Sequence, residues 1–106
     1  MQDAVWTYDD ICLDLTKNRV DRSGNSLQLT TREQTLLHYF LRYPEQVLTR
    51  TRLYEHVWED QFDGLSNTLE MHVMELRRKL EAFGPRVIQT VRGRGYMLDR
   101  RESDSK

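Results

Sequence analysis

The feature that most constrains this chain is a stripe of four apolar residues, Leu69, Val73, Leu76 and Leu80, spaced i, i+4, i+7 and i+11. At 100° per residue they fall within an arc of about 60°, and Asn67, Met71, Met74 and Arg78 fall on the opposite side. The spacing predicts a helix from about Ser66 to Phe83, stopped by Gly84-Pro85, with one face in a core and the other turned outward.

What surrounds that helix defines the fold class. After it come Val87-Ile88-Gln89-Thr90-Val91, a basic tip Arg92-Gly93-Arg94-Gly95, and Tyr96-Met97-Leu98. Two β-prone runs around two glycines predict a hairpin. Ahead of it, Thr30-Thr31-Arg32-Glu33 offers a capping box for a helix carrying Leu36, Leu37, Phe40 and Leu41, ended at Tyr43-Pro44. A second helix is predicted from near Thr49, burying Leu53, Val57 and Trp58. The first thirty residues read as short strands, Val5 to Tyr8, Ile11 to Leu15, Arg19 to Asp21 and Ser26 to Leu29, with Ile11, Leu13 and Leu15 sharing one face. Sheet, three helices and hairpin together describe an α+β winged helix-turn-helix over residues 1–99. The polar tail 100–106 is expected to be disordered.

A chain of 106 residues supports one modest core, which argues against a cleft between domains. It contains no apolar run near the roughly 18 residues of a membrane span and no signal peptide, so it reads as cytoplasmic. Cys12 is the single cysteine, and His38, His56 and His72 show no ligand spacing, so no metal and no cofactor are assigned. Cys12 itself reads as a buried or half-buried thiol. No Ser/His/Asp or Cys/His set has a structural context, and no enzymatic activity is assigned.

The net charge of −1 hides an uneven distribution. Residues 1–65 hold seven Lys/Arg against eleven Asp/Glu, whereas residues 66–101 hold eight against four. A local excess of that kind attracts a polyanion, because the field acts within a Debye length of about 8 Å. The outer surface of the long helix offers Asn67, Thr68, Met71, Met74, Glu75 and Arg78. Such a face suits the major groove: Asn67 for adenine, Glu75 for a cytosine amino group, methionines for thymine methyls. His72 is equally a phosphate donor or a packing residue at the edge of the stripe. Arg92 and Arg94 flank a glycine at the hairpin tip, where arginine suits a narrow minor groove. The bland alternative for Glu75 is a solvated residue pairing with Lys79 at i+4.

Four segments in register resemble the OmpR/PhoB family of response regulator output domains: Leu29 to Glu33 before Leu36-Leu37; Val47 to Arg50 with Leu53 and Val57-Trp58; Asn67 to Val73 leading to Leu76 to Leu80; and Ile88 to Tyr96. The resemblance implies a four-stranded N-terminal antiparallel sheet, a three-helix core and a C-terminal wing. It further implies binding to direct-repeat promoter DNA as a head-to-tail dimer, with Arg92 entering the minor groove. Thr68, His72, Arg78 and Thr90 match positions that often touch DNA in this family. The stretch Glu59, Asp60, Gln61, Phe62, Asp63, Gly64 and Leu65 matches a loop associated with contacting RNA polymerase. Family members often carry arginine where this chain has Asn67, Met74 and Glu75, so their base preferences do not transfer. The family's receiver domain, which precedes such a module and is served by a histidine kinase, is absent from the chain. Two other readings are a winged-helix module that docks on protein, and the DNA-binding domain of a membrane-anchored one-component activator.

Overall fold

A computed structural model describes residues 4–57 and 68–100. The chain begins with a four-stranded antiparallel sheet in sequential order, β1 (Val5–Tyr8), β2 (Ile11–Asp14), β3 (Arg19–Arg22) and β4 (Asn25–Leu27). Its inner face buries Ile11, Leu13, Val20 and Leu27, as period-2 alternation requires. The strand bearing Ile11 and Leu13 is one residue shorter than its apolar pattern suggests. Leu15 lies beyond its end, 38% exposed, with its N–H given to the Ala4 carbonyl. Cys12 is half-buried.

Helix α1 (Thr31–Arg42) starts with the predicted capping box: Thr30 Oγ1 accepts from the Glu33 N–H at 3.1 Å, and Glu33 Oε1 accepts from the Thr30 N–H at 3.0 Å. Tyr43 caps its C-terminus, and Leu36, Leu37, Phe40 and Leu41 are buried. The chain then departs from the sequence reading. Leu48–Thr49 is not the start of a helix but a two-residue strand, β5, followed directly by α2 (Arg50–Val57). Thr49 still caps α2, its hydroxyl accepting from the Arg52 N–H at 3.1 Å. Leu53 and Val57 are buried as expected, and Trp58 lies outside the described residues.

Helix α3 (Thr68–Glu81) buries Leu69, Val73, Leu76 and Leu80, each at most 2% exposed, so the phase set by the stripe is correct. The hairpin follows as β6 (Ile88–Val91) and β7 (Gly95–Leu98), and β5 pairs antiparallel with β7 to make a second sheet of order β5-β7-β6. Gly95 permits this pairing. A Cβ there would stand 2.1 Å from the Leu48 carbonyl oxygen, well inside contact distance.

Two buried charged groups tie α3 to the rest. Arg22, fully buried, donates from Nε to Asp10 at 3.0 Å and from Nη1 to the carbonyl of Leu80 at 2.9 Å, capping the last turn of α3 from the N-terminal sheet. Burial pushes the Asp10 carboxyl up, but hydrogen bonds from Ser23 and Arg22 outweigh it and hold the group below its ordinary range. Glu33, 3% exposed, also takes Lys79 Nζ of α3 at 2.7 Å. The N-terminus of α1 and the last turn of α3 therefore share one carboxylate. Arg100, assigned to the tail from sequence, gives its N–H to Tyr8 Oη at 3.0 Å and pairs with Asp9 at 2.8 Å.

Candidate nucleic-acid interface

Because the core stripe fixes the rotation of α3, it also fixes what the helix shows. Met71 and Met74 are 55% and 57% exposed, and Arg78 stands beside them in solvent. Two thioethers in water on one helix face form an unpartnered apolar patch, which is uncommon on an isolated soluble surface. Glu75 belongs to the same surface. Its Oε1 accepts from Arg78 Nε at 3.1 Å and Nη2 at 2.7 Å, and this hydrogen bond, followed by the neighbouring positive charges, lowers the carboxyl below its ordinary value. The alternative pair between Glu75 and Lys79 does not form, because Lys79 turns toward the buried Glu33. Glu75 thus fixes the direction of an exposed guanidinium on the outward face. His72 is half-buried at the edge of the stripe. The backbone of α3 starts at Thr68; Asn67 and the stretch 59–65 lie outside the described residues.

The hairpin stands next to α3 and is joined to it. Arg77 donates from Nη2 to Thr90 Oγ1 at 2.6 Å, and its guanidinium lies 5.7 Å from the centre of the Tyr96 ring. Burial lowers the Arg77 pKa, with the charge of Arg86 adding to it. Arg92 and Arg94 at the tip are exposed, and among the described residues their side chains make no hydrogen bond or ion pair. A cleft lined by Thr49, Arg50, Thr51, Thr90, Arg94 and Tyr96 separates the wing from the start of α2. Arg50 is held there by Glu70 of α3, Nε to Oε2 at 2.6 Å.

Of the residues singled out from sequence, the described structure brings Met71, Met74, Glu75 and Arg78 onto one face, with Arg92 and Arg94 on the neighbouring wing. Thr90 sits between them, its hydroxyl engaged by Arg77. Sequence reasoning did not single out Arg77 or Arg50. The signal for Arg50 was the run Thr49-Arg50-Thr51-Arg52, two cations at a helix start, where a charge unfavourable to the dipole needs another reason to be present. Among the described residues no group of three His, Cys, Asp or Glu is placed to hold a metal ion, and no helix is long and apolar enough to cross a membrane.

Comparison with known proteins agrees with this geometry. The family described as transcriptional regulatory protein, C terminal, matches residues 24–98. The transcriptional regulatory protein CusR of Escherichia coli K12 is 44% identical over 91 residues, covering 85% of this chain and 40% of CusR. The response regulator MprA of Mycolicibacterium vanbaalenii is 44% identical over 98 residues, covering 92% of this chain and 42% of MprA. The chain therefore spans about two-fifths of the length of these relatives. Among solved structures, the DNA-binding domain of the response regulator AdeR, in complex with an intercistronic region, superposes with a TM-score of 0.80 at 33% identity, covering 90% of this chain and 99% of that one. On the match to residues 24–98 and on these relatives, the chain belongs to the C-terminal domains of transcriptional regulatory proteins, as a winged-helix output domain of the OmpR/PhoB type.

Proposed function

We propose that the chain binds double-stranded promoter DNA sequence-specifically, with α3 in the major groove and the Arg92/Arg94 wing in an adjacent minor groove. The observation that carries this reading is the pairing of an outward face of Met71, Met74, Glu75 and Arg78 with a wing of two exposed arginines, unpartnered among the described residues, held together through Arg77 and Thr90. The face has the size and mixed polarity that base edges need, and arginine suits the strong negative potential of a narrow minor groove. That the AdeR domain was solved with an intercistronic region supports the same use here.

In this reading Arg78 reaches a guanine edge or a phosphate, and Glu75 aims it or accepts from a cytosine amino group. Asn67 and Thr68 reach the DNA from the start of α3, His72 from its flank, and Thr90 from the wing base. Two copies bind head to tail on direct repeats. Residues 59–65 contact RNA polymerase, and a receiver domain phosphorylated by a histidine kinase precedes this module in the full-length cytoplasmic protein. The resemblance to the OmpR/PhoB family supports these finer assignments.

Selection of binding sites from a random duplex library tests the function. The wild-type chain is expected to enrich one motif. Glu75→Gln, which keeps shape and removes charge, is expected to change preference at one base-pair position by about 1–3 kcal/mol. Identical motifs from the two proteins sink the role of Glu75, and no enriched motif sinks the function.

A further inference from the structure

Six of the twelve arginines among the described residues have a carboxylate partner, Arg19 with Asp21, Arg22 with Asp10, Arg50 with Glu70, Arg78 with Glu75, Arg86 with Glu81 and Arg100 with Asp9, and two more donate elsewhere, Arg32 to the Val57 carbonyl and Arg77 to the Thr90 hydroxyl. Arg92 and Arg94 lack one, and the proposed DNA contact accounts for them. Arg42 and Arg52 also lack one among the described residues, and DNA reading by α3 and the wing does not account for these two.

Arg42, at the end of α1, and Arg52, in the first turn of α2, share the same two rings. The Arg42 guanidinium lies 6.0 Å from the centre of Tyr39 and 5.4 Å from that of Tyr43; Arg52 lies 5.7 and 5.3 Å from them. The two cations are therefore no farther apart than the sum of their distances to Tyr43. Tyr39 and Tyr43 meet edge to face at 5.3 Å, and His56 stacks on Tyr39 at 4.0 Å. Both guanidiniums are exposed yet positioned on ring faces, so little side-chain freedom remains to be lost when an anion arrives. The charge of Arg42 also helps, after burial, to depress the pKa of the nearby His38.

The patch faces away from the reading helix. On α2, Arg50 and Tyr54 share one flank and meet α3, through Glu70 and through the Leu69 N–H, which donates to Tyr54 Oη at 3.4 Å. Arg52 and His56 share another flank, roughly 200° round from Arg50 at 100° per residue, and meet α1. A duplex engaged by α3 and the wing lies on the first flank.

We propose that the Arg42/Arg52 pair, seated on Tyr39 and Tyr43, is a docking site for an acidic segment of a partner protein carrying two closely spaced carboxylates. Carboxylates one helical turn apart, or two residues apart along a strand, have the spacing to meet both guanidiniums at once. Each accepts a charge-assisted hydrogen-bond pair from its arginine and removes the repulsion between the two cations.

The test is an NMR titration of the folded domain with an acetylated pentaglutamate peptide at physiological salt, with a pentaglutamine peptide as control, following the arginine Nε–H signals. The expected result is saturable shifts at Arg42 and Arg52 with the acidic peptide alone. Arg42→Gln/Arg52→Gln is expected to weaken binding about tenfold or more. The Arg42→Lys/Arg52→Lys variant, which keeps charge without the planar fork, should fall between the two. Both variants should keep the melting temperature and DNA affinity of the parent. Shifts confined to Arg92 and Arg94, or no saturable shift, overturn the proposal. So does a duplex DNA that moves the Arg42 and Arg52 signals as the peptide does, which assigns the patch to the DNA interface instead. DNA affinity is measured separately on wing variants, so failure of the promoter-binding reading is distinguishable.

Discussion

The hydroxyl of Thr90 receives a hydrogen bond from Arg77 at 2.6 Å, and through it the wing is joined to the helix beside it. Their relative position decides whether one protein reaches two neighbouring grooves. Thr90→Val keeps the shape and removes the acceptor, leaving a desolvated guanidinium short of one partner. The expected loss is about 1 kcal/mol in urea unfolding, together with weaker DNA binding at unchanged salt slope. Parent-like stability and DNA affinity would show instead that the bond from Arg77 does not set the position of the wing.

Arg22 joins the N-terminal sheet to the last turn of α3, and Gly84 leaves room for it. A Cβ on residue 84 would lie 2.6 Å from the guanidinium carbon, which Asp10 and the Leu80 carbonyl hold in place. Gly84→Ala is therefore expected to cost about 1–3 kcal/mol by overpacking. Arg22→Leu is expected to cost about 1–3 kcal/mol, since it leaves the Leu80 carbonyl without its donor and Asp10 with Ser23 alone. Thermal melting of both variants checks the pair; parent-like values for both place the guanidinium elsewhere.

Leu76 is fully buried in the stripe of α3. Leu76→Ala should destabilise the domain by about 2–5 kcal/mol, whereas Met74→Ala, on the opposite face, should leave stability nearly unchanged. Chemical denaturation that ranks them the other way reverses the phase of the helix and every outward assignment.

His38 carries a pH signature. Burial, then the charges of Arg42 and His56, hold its pKa below the ordinary 6.5 in the folded chain, and the Trp6 ring stands against it at 5.2 Å. The unfolded chain takes up this proton first, so the group has no effect on stability well above pH 6.5 and destabilises progressively as pH falls from there toward the depressed folded value. The melting temperature should drop between pH 7 and pH 5, and His38→Phe should flatten that drop. Parallel curves for the two proteins contradict the account.

The capping box, the phase of α3, the N-terminal meander and the wing were legible because each is written in adjacent or periodic residues. What escaped the sequence depends on distant partners. Leu48–Thr49 is a strand only because β7 lies beside it and Gly95 has no side chain. Arg22 sits in a strand with ordinary alternation, and its burial is explained by a carbonyl 58 residues later. Leu15 continued an apolar pattern that the turn to β3 cut short, and beyond Asp14 it is only partly covered. On the interface, Glu75 had two arginine or lysine neighbours within a turn. The choice of Arg78 over Lys79 was settled by Glu33, a residue of α1 that takes Lys79 for itself.

Arg92→Ala decides whether the wing enters DNA alongside α3. Arg92 is exposed at the hairpin tip, away from the core, so its removal leaves the fold intact. Affinity for a selected duplex is measured for wild type and variant across a series of salt concentrations. The variant is expected to bind more weakly, with a salt slope smaller in magnitude by roughly one unit, because one cation close to the phosphates is gone. Equal affinity and equal slope for the two proteins would contradict it, placing the wing off the DNA.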